Sequence, residues 1–124
     1  RYGGMWPLLG YGFWVFEDRE CGEFLGEGGL LDAQRGISGL QDIPEAGWAL
    51  MPHAGGRGIA TEAMSAVLDW ADAHLPVDLT GCIIDPGNST SLRVATKLGY
   101  VKFGRPEFRG TPIELLHRPR RSAP

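Results

Sequence analysis

The stretch from Ala46 to His74 constrains the fold more than any other. Ala46-Gly47-Trp48-Ala49-Leu50-Met51 reads as a strand stopped by Pro52, and His53-Ala54-Gly55-Gly56-Arg57-Gly58 is a glycine-rich turn. The turn runs into a helix in which Ala60, Ala63, Met64, Val67, Leu68, Ala71 and Leu75 recur at helical spacing. Glu62, Ser65, Asp69 and Asp72 fall on its other face, and Pro76 ends it. A helix start presents unpaired N–H groups and roughly half a positive charge. Glycines at 56 and 58 would let a phosphate reach that backbone, and Arg57 adds a full charge beside it. The turn therefore reads as an anion site, for a di- or pyrophosphate above all. The same glycines would equally serve a turn that only needs φ > 0. P-loop and dinucleotide readings fit worse: no Gly-Lys-Ser/Thr follows, and no third glycine comes after Gly58.

The flanking segments suggest an α+β order of ββ-β-α-β-α-ββ. Gly12–Phe16 and Glu23–Leu31 read as a hairpin across the charged turn Asp18–Gly22, with glycines in the second strand hinting at a bulge or a close backbone approach. Asp32–Pro44 reads as a surface loop. Leu79–Ile84 is a short apolar strand, followed by a second helix capped by Asn88 or Ser89, with Leu92, Ala95 and Leu98 inward and Gly99 as its stop. Tyr100–Phe103 and Pro112–His117 make a closing strand pair. The basic end from Arg118 reads as a disordered tail, so that one domain is expected over 1–118 and a tail over 119–124.

Composition narrows the partners. The 124 residues carry a net charge of −3, which gives no global pull toward nucleic acid or acidic membrane. The apolar run Tyr2–Phe16 is broken by glycines and Pro7 and is too short to span a bilayer, so it reads as a loop feeding a strand. Cytoplasm is the default location. Cys21 and Cys82 read as two buried free thiols rather than a bridge, and His53, His74 and His117 show no metal spacing. Trp14, Trp48 and Trp70 read as core or sheet residues, Tyr100 as packing, and Arg93 as a solvated helix face.

A second motif joins the first. Glu45-x-Gly47-Trp48, Pro52-x-x-x-Gly56-x-Gly58-x-Ala60-Thr61-Glu62-Ala63 and Asn88-x-x-Ser91…Lys97-Leu98-Gly99-Tyr100, in that order, resemble the GNAT superfamily of N-acetyltransferases, and its RimJ/RimL-like branch in particular. The resemblance covers about Gly12 to Arg118. It implies the GNAT fold, a mostly antiparallel twisted sheet with a local β-α-β cofactor unit, and acetyl-CoA as co-substrate with no metal. It also implies that an N-terminal strand and helices precede what is seen here, since the acceptor wall in this superfamily is largely built from them. The backbone from Arg57 through Gly58 and Ile59 to Ala60 would hold the pyrophosphate, Ala49, Leu50 and Met51 would pair with the pantetheine arm, and Asn88 would hydrogen-bond it. Two positions depart from the pattern: His53 replaces Gln or Arg, and Gly55 stands where this branch often has Trp.

The reaction so implied is direct attack of a neutral amine on the thioester. Leu50 or a neighbour would donate its N–H to the oxyanion. Many members protonate the leaving thiolate with a tyrosine that here is Ala95; Ser91 is the nearest substitute, or is simply a first-turn cap. Glu45 is the candidate base, or a strand-edge surface residue, with His53 behind it. Glu27 would hold a cationic substrate or face solvent. The acceptor is expected to be a small-molecule or peptide amine: a protein N-terminus, an amino acid or polyamine, or an aminoglycoside-like compound. A homodimer is left open. The alternative is a non-catalytic acyl-CoA-binding module that senses or positions a partner.

Overall fold

The computed structural model describes residues 2–8, 11–32, 35–56 and 58–121. Strands β1 (Tyr2–Leu8), β2 (Tyr11–Glu17), β3 (Phe24–Leu31) and β4 (Glu45–Leu50) come first, followed by a short 3-10 turn at Pro52–Ala54 and helix α1 (Ile59–His74). Then come β5 (Leu79–Ile84), α2 (Ser89–Leu98), β6 (Val101–Gly104), β7 (Glu107–Phe108), β8 (Thr111–Pro112) and β9 (Glu114–Pro119). Seven strands form one sheet in the order β1-β2-β3-β4-β5-β9-β6, antiparallel throughout except for the parallel β4–β5 pair. β7 and β8 form a separate small hairpin.

Residues 2–8, expected as a loop, are instead the edge strand β1 paired with β2. An edge position tolerates Pro7, because a strand with one free side can spare an N–H. The β2–β3 turn is held by Asp18, whose Oδ1 accepts from Glu20 N and Cys21 N at 2.8 and 3.1 Å. The close approach suggested by the β3 glycines is real at Gly28, where an added Cβ would lie 2.8 Å from Met64 Sδ and 2.9 Å from Gly47 O. There α1 lies on the sheet. Its buried residues Ala60, Ala63, Met64, Val67, Leu68 and Ala71 are the ones the helical spacing picks out.

This main core also takes in Phe16, Leu30, Ala46, Cys82, Ala95, Leu98 and Leu116, with Trp14 and Trp70 packed edge to face on it at 5.2 Å. Tyr100 is buried as read, its hydroxyl 2.8 Å from Thr80 Oγ1, and burial pushes its ionisation upward. Of the two free cysteines only Cys82 is buried; Cys21 is exposed in the β2–β3 turn, contrary to the pairing of both as buried thiols.

Two further expectations fail. The loop after β3 is not merely a surface segment: Ile37 and Leu40 are buried with Ile113 and Leu115 in a second cluster on the opposite face of the sheet. Leu40 seats on Gly81, and His117 Nε2 donates to Gly39 O at 2.6 Å, so the loop is tied to β5 and β9. Arg118 is no tail residue either. It is buried in β9, where its Nε donates to Leu98 O at 3.0 Å and its terminal nitrogens reach Asp72. Arg120 Nε donates to Asp72 O, and Arg121 reaches Leu98 O. Carbonyls late in a helix need donors, and cations suit that end of the dipole, which orders a basic segment that composition alone marks as tail.

Candidate active site

β4 and β5 touch at a single register pair, Glu45 with Gly81, where Gly81 N donates to Pro44 O at 2.9 Å. Beyond it the strands diverge. Each helix starts at the open end: α1 follows the turn after β4, and α2 follows Asp85–Asn88 after β5. The result is a trench walled by Trp48, Ala49, Leu50, Met51 and Pro52 on one side and Ala60, Asn88, Thr90, Ser91 and Val94 on the other.

The edge of β4 facing this trench keeps its hydrogen-bonding groups. Met51 N donates to Leu25 O at 2.8 Å, so Met51 points its N–H toward β3. Alternation along the strand then turns the Leu50 N–H the other way, toward the edge from which β5 has withdrawn. This is the geometry an added chain or an oxyanion can use.

At one end the trench opens onto Gly55, Gly56, Gly58, Ile59, Ala60 and Thr61, faced across the gap by Thr90, Arg93, Val94 and Lys97 of α2. Gly58 caps α1 at φ 72° with no side-chain hydrogen bond. The first N–H groups of α1 are thus left for another acceptor, and two cations stand opposite. Gly56 shares the positive φ, at 76°, and no atom lies within 4 Å of where its Cβ would be. The glycines therefore meet the conformational need and leave the approach open as well. Arg57 lies outside the described residues.

At the other end is a cavity of about 250 Å³ lined by Arg35, Glu45, Trp48, Cys82, Ile84, Asp85, Asn88 and Ser91, among others. Glu45 is buried rather than a surface strand-edge residue, and its Oε1 accepts from Arg35 Nε at 2.7 Å. The Cys82 thiol is pushed up to about 12, first by burial and then by the Glu45 charge. A thiol so protonated is not a nucleophile at neutral pH. Asn88 is the cap of α2: its Oδ1 accepts from Ser91 N at 3.1 Å. Ser91 is capped rather than capping, and it lines both the trench and the cavity.

Several expected site residues sit elsewhere. His53, in the short 3-10 turn, does not line the trench, and its Nε2 lies 3.5 Å from Glu23 Oε1. Glu27 is exposed on β3 opposite Ala49, four register pairs along from Glu45, and lines neither cavity. Ala95, where the resemblance puts a tyrosine, is fully buried in the main core.

Arg93, read as a solvated helix face, is exposed, but it and Lys97 also line the end of the trench beside Gly56, Gly58 and Thr61, which sequence reasoning missed. Their spacing was the available signal: 93 and 97 are four apart, and 90, 94 and 97 share one helical stripe. Trp48, read as core, both packs on the core and lines the trench. Arg35 had no signal, because its loop has no period. Among the described residues no group of His, Cys, Asp and Glu could hold a metal, and no helix is long and apolar enough to cross a membrane.

A strand pair splayed open beside a helix start without a side-chain cap is what this fold presents, and the fold has known relatives. A model of the acetyltransferase (GNAT) domain matches residues 2–101. The chain belongs to the GNAT acetyltransferase family. A Bacillus subtilis (strain 168) protein called YkkB, itself uncharacterised, is 39% identical over 92 residues, covering 73% of this chain and 52% of that protein. A Bordetella pertussis protein assigned to the GnaT acetyltransferase family superposes with a TM-score of 0.81 at 35% identity, covering 89% of this chain and 66% of its own. Spermidine N-acetyltransferase from Vibrio cholerae, in complex with CoA and spermine, gives a TM-score of 0.71 at 16% identity, covering 89% of this chain and 66% of its own. At that identity the likeness is one of fold. The chain spans about half of the Bacillus relative and 66% of each of these two structures.

Proposed function

We propose that this GNAT chain transfers the acetyl group of acetyl-CoA to a primary amine by direct attack, and that it belongs with the RimJ/RimL-like branch. The observation that carries the reading is the single-pair contact of β4 and β5, opening a strand edge that leads to the free N–H groups of α1. The residues fit the co-substrate. Backbone N–H groups from Gly58 to Ala60, with Arg93 and Lys97 opposite, suit a diphosphate, and the free edge of β4 at Ala49–Met51 suits an amide-bearing arm. Acetyl-CoA supplies the activated acyl group as a thioester.

The chain's own groups carry the rest. Glu45 takes a proton from the substrate ammonium, directly or through water, so that the neutral amine's lone pair forms the C–N bond. The Leu50 N–H donates to the oxyanion. Ser91 donates to the departing thiolate as the C–S bond breaks, in place of the absent tyrosine. Asn88 keeps its amide nitrogen for the co-substrate, since its oxygen is spent on the cap. Cys82, held protonated, takes no acetyl group, which favours direct attack over a covalent intermediate. Two unbridged cysteines suit a reducing compartment, in keeping with the cytoplasm.

One observation favours the non-catalytic alternative, the burial of Ala95 where a proton-donating tyrosine would stand. The two readings separate in one experiment. Free-thiol release from acetyl-CoA is followed across a panel of amines, and co-substrate binding is measured by calorimetry. Transfer to at least one amine is expected; tight binding with no release from any amine would leave only the binding module. Gly56→Glu is expected to abolish binding, and a variant that binds normally would overturn the phosphate assignment.

A further inference from the structure

We infer that the acceptor cavity is built for a free α-amino acid, with Arg35 taking its carboxylate and Glu45 its amine. The inference rests on the acetyl-transfer reading for the chemistry and on the Arg35–Glu45 pair for the substrate class.

Arg35 Nε lies 2.7 Å from Glu45 Oε1, and both residues line the same cavity beside the end of the trench where an acetyl group would lie. Neither is used up by the other. Among the described residues the terminal nitrogens of Arg35 make no hydrogen bond; the guanidinium lies 5.5 Å from the Phe108 ring centre and its side chain keeps 32% exposure. Those two N–H groups form the planar fork that matches a carboxylate. Glu45 Oε2 has no partner among the described residues, yet no buried side-chain polar atom is unsatisfied, so this oxygen reaches the cavity.

A cation and an anion held side by side complement a ligand that carries both charges one carbon apart. An α-amino acid is that ligand. A simple monoamine meets a carboxylate whose charge Arg35 already offsets, and so gains little from it. A polyamine brings further positive charge up to the guanidinium. The zwitterion engages both groups, and its amine lands on the residue that must take the proton. Beside the pair, Trp48, Ile83 and Ile84 offer an apolar wall to the amino acid's side chain.

The test compares acids with their decarboxylated twins, leucine against isopentylamine and phenylalanine against phenethylamine. It reads kcat and KM by thiol release for the wild type, Arg35→Gln and Arg35→Lys, with calorimetry of each twin in the presence of CoA. The wild type is expected to prefer the acids by about tenfold or more, the worth of a charge-assisted hydrogen-bonded pair. Arg35→Gln should bring that ratio toward one through the KM of the acid. Arg35→Lys keeps the charge without the fork and should give an intermediate ratio. A wild type that treats twins alike overturns the inference. So does an Arg35→Gln variant that slows both twins equally, since that marks a purely structural pair. If no amine of either kind releases thiol, the acetyl-transfer reading fails by itself. The calorimetric preference for leucine over isopentylamine, present or absent, then decides the role of Arg35.

Discussion

Arg118 grips Asp72 with both terminal nitrogens, at 3.0 and 2.9 Å, while its Nε holds the last carbonyl of α2. One buried guanidinium thus joins β9, α1 and α2, the elements that stand behind the trench. Removing it would leave Asp72, only 14% exposed, without its countercharge and the Leu98 carbonyl with only the longer contact from Arg121. Arg118→Ala is expected to cost about 3–5 kcal/mol in urea unfolding, the usual cost of breaking a buried pair. Arg118→Met combined with Asp72→Leu should recover much of that loss. A single variant within about 0.5 kcal/mol of the wild type would show that the pair is not structural.

Glu45→Gln keeps the hydrogen bond from Arg35 but cannot take a proton. We expect kcat to fall by about 10²–10⁴, the range for a lost general base, with acetyl-CoA affinity retained. Steady-state kinetics and calorimetry read the two separately. An unchanged kcat would remove Glu45 from the chemistry.

Arg93→Glu and Lys97→Glu place negative charge across from the start of α1. Each is expected to weaken acetyl-CoA binding by about tenfold at low salt, and by less at 0.5 M salt, where exposed charges are screened. Melting temperatures should barely change. Equal affinities for variants and wild type would mean that the anion does not reach α2.

Burial separates the two cysteines. Iodoacetamide at pH 8 is expected to label Cys21 in the native protein and leave Cys82 unmodified, as read by mass spectrometry of the peptides. The raised Cys82 value also sets a direction for stability. The unfolded thiol ionises near its ordinary 9.0 and the folded one near 12, so the folded form holds a proton that the unfolded form has lost. Stability from this group is therefore intact below about pH 9 and falls as pH rises toward 12. Cys82→Ala should flatten that part of the curve. A labelled Cys82, or identical alkaline curves, would contradict this.

Much of the site was legible because its parts are local. The α1 core face follows from spacing alone, and the Asn88 cap and Gly99 stop of α2 follow from short-range hydrogen bonding. The glycine turn could be read as leading into a helix start without a side-chain cap, because that start and its preceding residues are contiguous in the chain. Side chains that meet through the fold were not legible. Arg35 comes to Glu45 because its loop is tied down further along, where Leu40 seats on Gly81 of β5 and His117 of β9 holds Gly39, contacts between residues far apart in the chain. His53 matched a signature position by spacing, yet the 3-10 turn carries it away from the trench toward Glu23.

The sequence by itself determined the elements around the trench and the chemistry of the helix start, since periodicity and capping act within a turn or two of chain. Tertiary structure alone decided which charges share a cavity and how the chain's basic end is used. It brought Arg35 against Glu45, and it buried Arg118 between two helices that composition had left it outside. Charges in flexible or unpatterned segments find partners through burial and geometry, and these exist only once the sheet and its helices have packed.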